Sequence, residues 1–280
     1  MNDLAKIFRV FCAAVLFASP SAAQPFESSA TWLQGFDDWI SELSQVKATD
    51  FQWSVGAGMG TAPDFPGGDN YETVALPLFQ VRLRDKLTID PLGVRFRIWR
   101  SDCCRFRLFA GLSESRSADA SSPVNRLPDI DRGMNLGFVF ESRIAGPLAF
   151  RVNGRKEVAG GHGGLTLAPS LGVIVRNKSG TYSVIPELAA TWANGRYMQS
   201  FFGVTPAGAV ASGLAPFSAG AGLREVALRL TTTYRISEQW TIIGRMQAAH
   251  LTGDAKRSSI VRQSGDANQG LVGFGILYTF

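Results

Sequence analysis

Alternation at period two governs this chain from residue 51 to its last residue. The closing stretch GFGILYTF (273–280) puts Phe274, Ile276, Tyr278 and Phe280 in one register and Gly273, Gly275, Leu277 and Thr279 in the other. Such a period belongs to a strand with two unlike faces. The pattern recurs in FQWSVGAGM (51–59), VRFRIW (94–99), RFRLFAGL (105–112), LAFRVNGR (148–155), YSVIPELAATW (182–192) and EVALRLTTTYR (225–235). Everything after residue 50 therefore reads as strand. Twelve segments are expected, at about 51–60, 71–84, 86–90, 93–100, 104–114, 133–144, 147–157, 164–177, 181–193, 221–236, 239–250 and 268–280.

A soluble sandwich also alternates, so the choice of architecture rests on three further features. Aromatic residues stand at strand ends on the apolar face: Tyr182 and Trp192 bracket one strand, and Tyr234 and Trp240 flank one turn. Interfacial girdles of a membrane barrel are placed this way. The polar face carries arginines in mid-strand, which a wet lumen accommodates and a small dry core does not. Connections after even-numbered strands are short and most of those after odd-numbered strands are longer. An even strand count with this asymmetry is the plan of an all-β transmembrane antiparallel up-and-down barrel. Only a closed barrel lets strands cross lipid with every backbone group satisfied.

The first 23 residues read as a secretory signal. Lys6 and Arg9 form a basic start, VFCAAVLFA (10–18) is an apolar stretch too short to span, and Ser21-Ala22-Ala23 offers cleavage after Ala23. Residues 24–50 form a separate segment. Trp32, Phe36, Trp39, Ile40 and Leu43 fall at three- and four-residue spacing, which predicts a short amphipathic helix over 31–46. Residues 51–280 are the barrel. Its expected place is the bacterial outer membrane with both termini periplasmic, in contact with outer-membrane lipid and lipopolysaccharide. The register ending on Phe274, Ile276, Tyr278 and Phe280 resembles the terminal signal read by the barrel assembly machinery.

Several stretches together resemble the MltA-interacting protein/OmpV family of outer-membrane proteins. They are GAGMGTAPDFPGGDNYETVALPLF (56–79), GPLAFRVNGRKEV (146–158), YMQSFFGVTPAGAVASGLAPFSAGAGL (197–223), YRISEQWTIIGRMQAAHLTGDAKRSSIV (234–261) and LYTF (277–280). The chain departs from the family pattern after GDA (253–255), where Lys256, Arg257, Ser258 and Ser259 replace an acidic residue and Ser-Pro. The segment 24–50 lies outside the resemblance. The resemblance implies a twelve-strand barrel acting as a scaffold between a lytic transglycosylase and a murein synthase, or as an adhesin or small-solute porin. It attaches no catalytic residues, and no cofactor and no nucleic-acid partner is expected.

The residues give little to an enzyme. An outer-membrane lipid hydrolase needs a serine and histidine set, and only His162 and His250 are present. His162 lies in the glycine loop GGHGG, and His250 shares the lipid-facing register of Trp240, Ile242, Met246 and Ala248. No cluster has metal-ligand spacing. Beyond Cys12 in the signal, Cys103 and Cys104 are adjacent, and a strained ring argues for two separate thiols in a turn. The strongest signal is the expected lumen lining. Arg82, Arg95, Arg97, Arg105, Arg107, Arg151, Arg155, Arg229 and Arg245 face inward, opposed by Glu141, Glu187 and Glu225. Two outcomes stay open: the charges pair and fill a narrow barrel, or they line an anion-preferring pore.

Overall fold

A computed structural model describes residues 51–84, 86–116 and 120–280. The signal with its cleavage site after Ala23 and the helix expected at 31–46 lie outside the described residues. No described helix is long and apolar enough to cross a membrane.

The described residues form twelve antiparallel strands in one closed sheet. In chain order they are β1 (Phe51–Pro63), β2 (Tyr71–Leu83), β3 (Leu87–Asp90), β4 (Gly93–Arg100), β5 (Cys104–Leu112), β6 (Met134–Ala145), β7 (Leu148–Ala159), β8 (Leu165–Val173, resumed at Val175–Arg176), β9 (Tyr182–Ala193), β10 (Gly222–Arg235), β11 (Trp240–Leu251) and β12 (Asn268–Thr279). Each strand pairs with its neighbours in sequence, and β12 closes the barrel on β1 through Ser54↔Thr279 to Thr61↔Val272. The closing seam is made possible by small inward residues. A Cβ on Gly275 would stand 2.7 Å from the Leu78 side chain.

Alternation sorts side chains as the sequence requires. Leu188, Leu228, Met246, Val272 and Phe274 are half or more exposed on the outside, an apolar belt that a water-soluble monomer does not carry. Inside, the lumen has two unlike walls. Ala62, Val74, Leu76, Leu78, Leu92, Ile243, Leu271 and Leu277 make one apolar cluster on the β11–β12–β1–β2 side. The opposite wall carries the charges.

Three prolines lie in mid-strand, each where no ladder bond is lost. Along Tyr71–Gln80, β2 pairs with β1 alone among the described strands, because β3 meets it only at Val81–Leu83. Pro77 sits on that stretch. The β8–β9 ladder skips Pro169 opposite Ala190, and it skips Pro186 opposite Val173, beside the break at Ile174. A residue without an N–H is confined to such edges and gaps.

Three sequence expectations are corrected. The long connections are not featureless: they hold the helices α1 (Gly195–Phe202), α2 (Pro206–Ser212), α3 (Gly253–Arg257) and α4 (Ser259–Ser264), with a 3₁₀ turn at Val124–Arg126. Cys103 and Cys104 are joined as a disulfide rather than standing as two thiols. Trp99 does not follow Arg95 and Arg97 inward. A bulge between Arg97 and Trp99 sets Trp99 against Phe106, and it is exposed. One extra residue on one strand flips the faces beyond it.

Candidate functional site

Charges form a belt across the inner wall. Glu141 on β6 lies at its centre. Its Oε2 accepts from Arg105 Nε at 2.7 Å and meets Arg107 Nη2 at 3.0 Å. Its Oε1 accepts from Arg151 Nη2 at 2.8 Å and from Arg151 Nε at 3.1 Å. Arg151 continues to Glu187 on β9 at 3.6 Å, and Glu187 Oε1 accepts from Arg229 Nη1 at 3.0 Å. Arg229 Nε donates to Gln247 on β11 at 2.9 Å. The belt thus crosses β5, β6, β7, β9, β10 and β11. Strand alternation aims each of these side chains inward, and the antiparallel register sets Glu141 opposite both Arg105 and Arg151, and Glu187 opposite Arg229.

The remaining lumen arginines are also partnered. Arg95 makes an ion pair with Asp90, an acid whose inward placement the turn at Pro91–Leu92 hides from the alternation pattern. Arg155 Nε donates to Asn153 at 3.1 Å. The Arg155 and Arg95 guanidiniums lie 5.1 and 6.0 Å from the centre of the buried Phe109 ring, within cation–π range. Arg245 Nη1 reaches Thr231 at 3.4 Å. Arg82 and Arg97 are half-buried at the turn end of the barrel. The four arginines Arg95, Arg97, Arg105 and Arg107 therefore do not make one bare cationic patch: Arg105 and Arg107 share Glu141, and Arg95 has Asp90.

Beside the belt lies a cavity of about 160 Å³, walled by Arg151, Arg155, Arg229 and Arg245 with Glu187 and Glu225. Phe65, Glu114, Arg224 and Leu251 stand at its long-connection end, and the helices pack against Phe65 and Leu251. Asn194 Oδ1 caps α1 by accepting from Tyr197 N at 3.1 Å, and the same oxygen accepts from Leu165 N at 2.9 Å. Thr205 Oγ1 accepts from Gly208 N at 3.1 Å to start α2, which has Pro206 in its first turn and ends on Gly213 at φ 79°. Ser258 caps α4 at Ile260 N and donates to Phe202 O at 2.6 Å. These are standard helix-start and helix-stop chemistries. The helices bury Tyr197, Met198, Phe201, Phe202, Leu251 and Val261 together. Val124 and Leu127 of the 113–133 connection pack with Phe65, Val204 and Ile260.

A polar knot ties this cap to the wall. The Tyr197 hydroxyl donates to Glu114 and accepts from Arg224, whose Nη2 donates to Glu225 at 2.9 Å. A bulge between Thr191 and Trp192, opposite Leu223–Glu225, brings the adjacent Arg224 and Glu225 both inward. Alternation alone would have sent Arg224 to lipid, and for that reason sequence reading missed it. Burial pushes the Tyr197 phenol well above its ordinary value, so it remains a donor.

His162 is buried rather than held in an open glycine loop. It lies edge-on to Tyr197 and Phe201 at 5.4 and 5.2 Å between ring centres. Its Nδ1 accepts from Gly164 N at 2.9 Å, and its Nε2 has no protein partner. Burial lowers its pKa below 6.5. Ser113 Oγ donates to Glu157 at 2.7 Å, and His162 N donates to the same carboxylate at 2.6 Å. The carboxylate therefore stands between serine and histidine, and Nδ1 is an acceptor. A nucleophile–base–orienter relay needs the opposite order. His250 stays on the outer face near the long-connection end, bonded to Asn268 at 2.8 Å and Lys256 at 3.0 Å. Among the described residues no group of three His, Cys, Asp or Glu could hold a metal.

The expected aromatic positions occupy two rims. Tyr182 faces Tyr234 across the β9–β10 ladder at the turn end, with Trp240 beside them in sequence order, while Trp192 lies at the other end of β9. Phe280 stacks on Trp53 at 3.8 Å and meets Tyr278 at 4.7 Å, and its N–H donates to Trp53 O at 3.0 Å. Tyr278 in turn meets Trp240 at 4.9 Å. Phe274 and Ile276 continue the same outer face upward.

Comparison with curated protein sequences gives no match. Among solved structures the chain is similar to the translocator domain of the autotransporter NalP from Neisseria meningitidis (11% identity, TM-score 0.41, 91% of this chain and 99% of that one). It is also similar to the KdgM porin (8%, 0.39, 81% and 99%). A third is the outer membrane channel DcaP of Acinetobacter baumannii (10%, 0.37, 82% and 96%). Residues 55–280 match the model of the family described as MltA-interacting protein MipA, and the chain, a closed outer-membrane-type barrel over that whole span, belongs to this family.

Proposed function

We propose that this protein is a non-enzymatic anchor in the bacterial outer membrane that holds peptidoglycan-remodelling enzymes at its periplasmic side. The family description names an interaction with MltA, a lytic transglycosylase, and a murein synthase is the second expected partner. The observation that carries the reading is the filled lumen. A belt of ion pairs and hydrogen bonds crosses six strands, and four short helices pack together in the long connections at one end. Such a barrel serves as a rigid support rather than a wide passage. Short turns at the end where Phe51 begins the barrel and Phe280 closes it fit the periplasmic orientation of barrels of this plan.

The test is a crosslinking pull-down from membranes carrying the full chain, read for a lytic transglycosylase or murein synthase, together with planar-bilayer recording. Capture without steady conductance is the expected result. Conductance without capture would overturn the anchor reading. A second reading, a small anion-preferring porin, is favoured by one observation: five arginines against three glutamates and Asp64 wall the cavity beside the belt.

A further inference from the structure

The end of the lumen away from the helical connections is lined by one sign of charge. Partners directly opposite on a ladder share a face, so the ladders show which side the last residues of each strand take. Arg143 stands opposite the buried Ala149, Arg176 opposite the buried Ser183, Arg105 opposite the buried Glu141, and Arg100 opposite Arg105. Arg82 stands opposite Gln52 and Thr88, and Arg235 opposite Thr241. These six arginines are the last inward residues of β2, β4, β5, β6, β8 and β10 at the turn end. The other six strands end inward on glutamine, serine, threonine or alanine. Among the described residues no strand presents an acid as its last inward residue at this end. Glu141, two residues deeper than Arg143, is already shared by Arg105, Arg107 and Arg151. The turn-end mouth therefore holds a surplus of positive charge.

The chain joins this mouth to an acidic stretch. β1 begins at Phe51, opposite Leu83, at the same end. The residues just before it, 24–50, carry Glu27, Asp37, Asp38, Glu42 and Asp50 against one base, Lys47. Glu42 precedes Phe51 by nine residues, a stretch that spans about 30 Å when extended. Twelve tilted strands about 4.8 Å apart close a ring roughly 20–25 Å across. Every arginine of the mouth is thus within reach of these carboxylates. The covalent tether also holds them near the mouth at high effective concentration, which a free anion must match from solution.

We propose that the acidic stretch 24–50 docks into the turn-end mouth of its own barrel, with Asp37, Asp38 and Glu42 against the inward arginines. A guanidinium has five donors in a planar fork that matches a carboxylate, so an arginine bonded within the wall still has donors to offer. The docked stretch balances the surplus charge of the mouth. The proposal does not depend on the anchor reading.

The test uses the full chain folded in nanodiscs, where both faces are reachable. A photo-reactive residue in place of Ser41, between Asp38 and Glu42, should crosslink to turn-end lumen positions of the same molecule, mapped by mass spectrometry. Tryptic cleavage after Lys47 should be slow in wild type. Asp37→Asn with Asp38→Asn and Glu42→Gln should speed it about ten-fold, the size expected of three partly exposed ion pairs. Added salt should move wild type the same way. Arg143→Glu with Arg235→Glu should also speed cleavage, and adding Asp37→Lys and Asp38→Lys to that pair should slow it again. Heat-modifiable migration reports folding, and if the double Glu variant does not fold, Arg143→Gln with Arg235→Gln is read in its place. Crosslinks confined to lipid, to the outer face or to another molecule, cleavage that the carboxylate variants leave unchanged, or a charge swap that restores nothing would each overturn the proposal.

Discussion

At the scale of single residues, Glu141 is the most consequential side chain. It is one carboxylate shared by Arg105, Arg107 and Arg151 inside the lumen. Removing its charge leaves three guanidiniums facing one another. Breaking a buried pair from one side costs about 3–5 kcal/mol. Glu141→Gln should lower the urea midpoint of the folded barrel in liposomes by that much, whereas Arg107→Met should cost clearly less, since Glu141 then keeps two partners. Equal losses for the two variants would argue against a shared centre. His162 makes a pH-dependent contribution. Its folded pKa is below 6.5, so the unfolded chain takes up the proton first. Stability of the cap is therefore level above pH 6.5 and declines as pH falls from there toward the lowered folded value. Limited proteolysis of the connections should be faster at pH 5 than at pH 7.5, and His162→Gln should flatten that difference.

At the scale of elements, the closing seam depends on aromatic contacts at its lower end. Phe280 stacks on Trp53 and donates its N–H to the Trp53 carbonyl, joining β12 to β1 where the ladder ends. Phe280→Asp forfeits a stacked pair worth about 1 kcal/mol and places a carboxylate at the lipid boundary. The fraction of heat-modifiable, inserted barrel should fall, and Phe280→Trp should restore it. Normal insertion of the Asp variant would show that the seam closes without this residue. Strands of this kind were legible in the sequence because lipid outside and charge inside impose a two-residue period on every one. What broke the reading was local. The bulges beside Trp99 and beside Leu223–Glu225 reverse the faces, so Trp99 was read inward and Arg224 was not read as a lumen residue at all. Asp90 lay in a hairpin too short to show a period. The four short helices were missed because they are only five to eight residues long; Tyr197, Met198, Phe201 and Phe202 fall at helical spacing, but over little more than two turns. His162 was misjudged because five residues of glycine and histidine suggest freedom, while the contacts that bury it come from Tyr197 and Phe201, far along the chain.

At the scale of the whole molecule, paired charges cross the inner wall and the helical connections gather at one end, and both bear on how the barrel should behave in a bilayer. A twelve-strand barrel is intermediate between eight-strand barrels filled by their own side chains and porins of 16 to 18 strands, so size alone leaves conduction open. The paired charges of the lumen argue against it on the anchor reading. Wild type should show no steady conductance. Replacing 195–220 by a short glycine–serine linker removes α1 and α2 but leaves Glu141, Glu187 and their arginines in place, so that variant should still conduct weakly at most. Adding Arg107→Ser, Glu141→Ser and Arg151→Ser removes the middle of the belt, and the combined variant should conduct steadily. Arg105, Arg155, Arg224, Arg229 and Arg245 then stand against Asp64, Glu114, Glu187 and Glu225 at the opened site, an excess of one cation. Their field should favour anions at low salt, and the preference should fade at 1 M, where the screening length is about 3 Å. Reversal potentials under a salt gradient read this directly. Steady current through the wild-type barrel would remove the reason for treating it as a support, and the arginine-rich cavity would then be read as a path for anions.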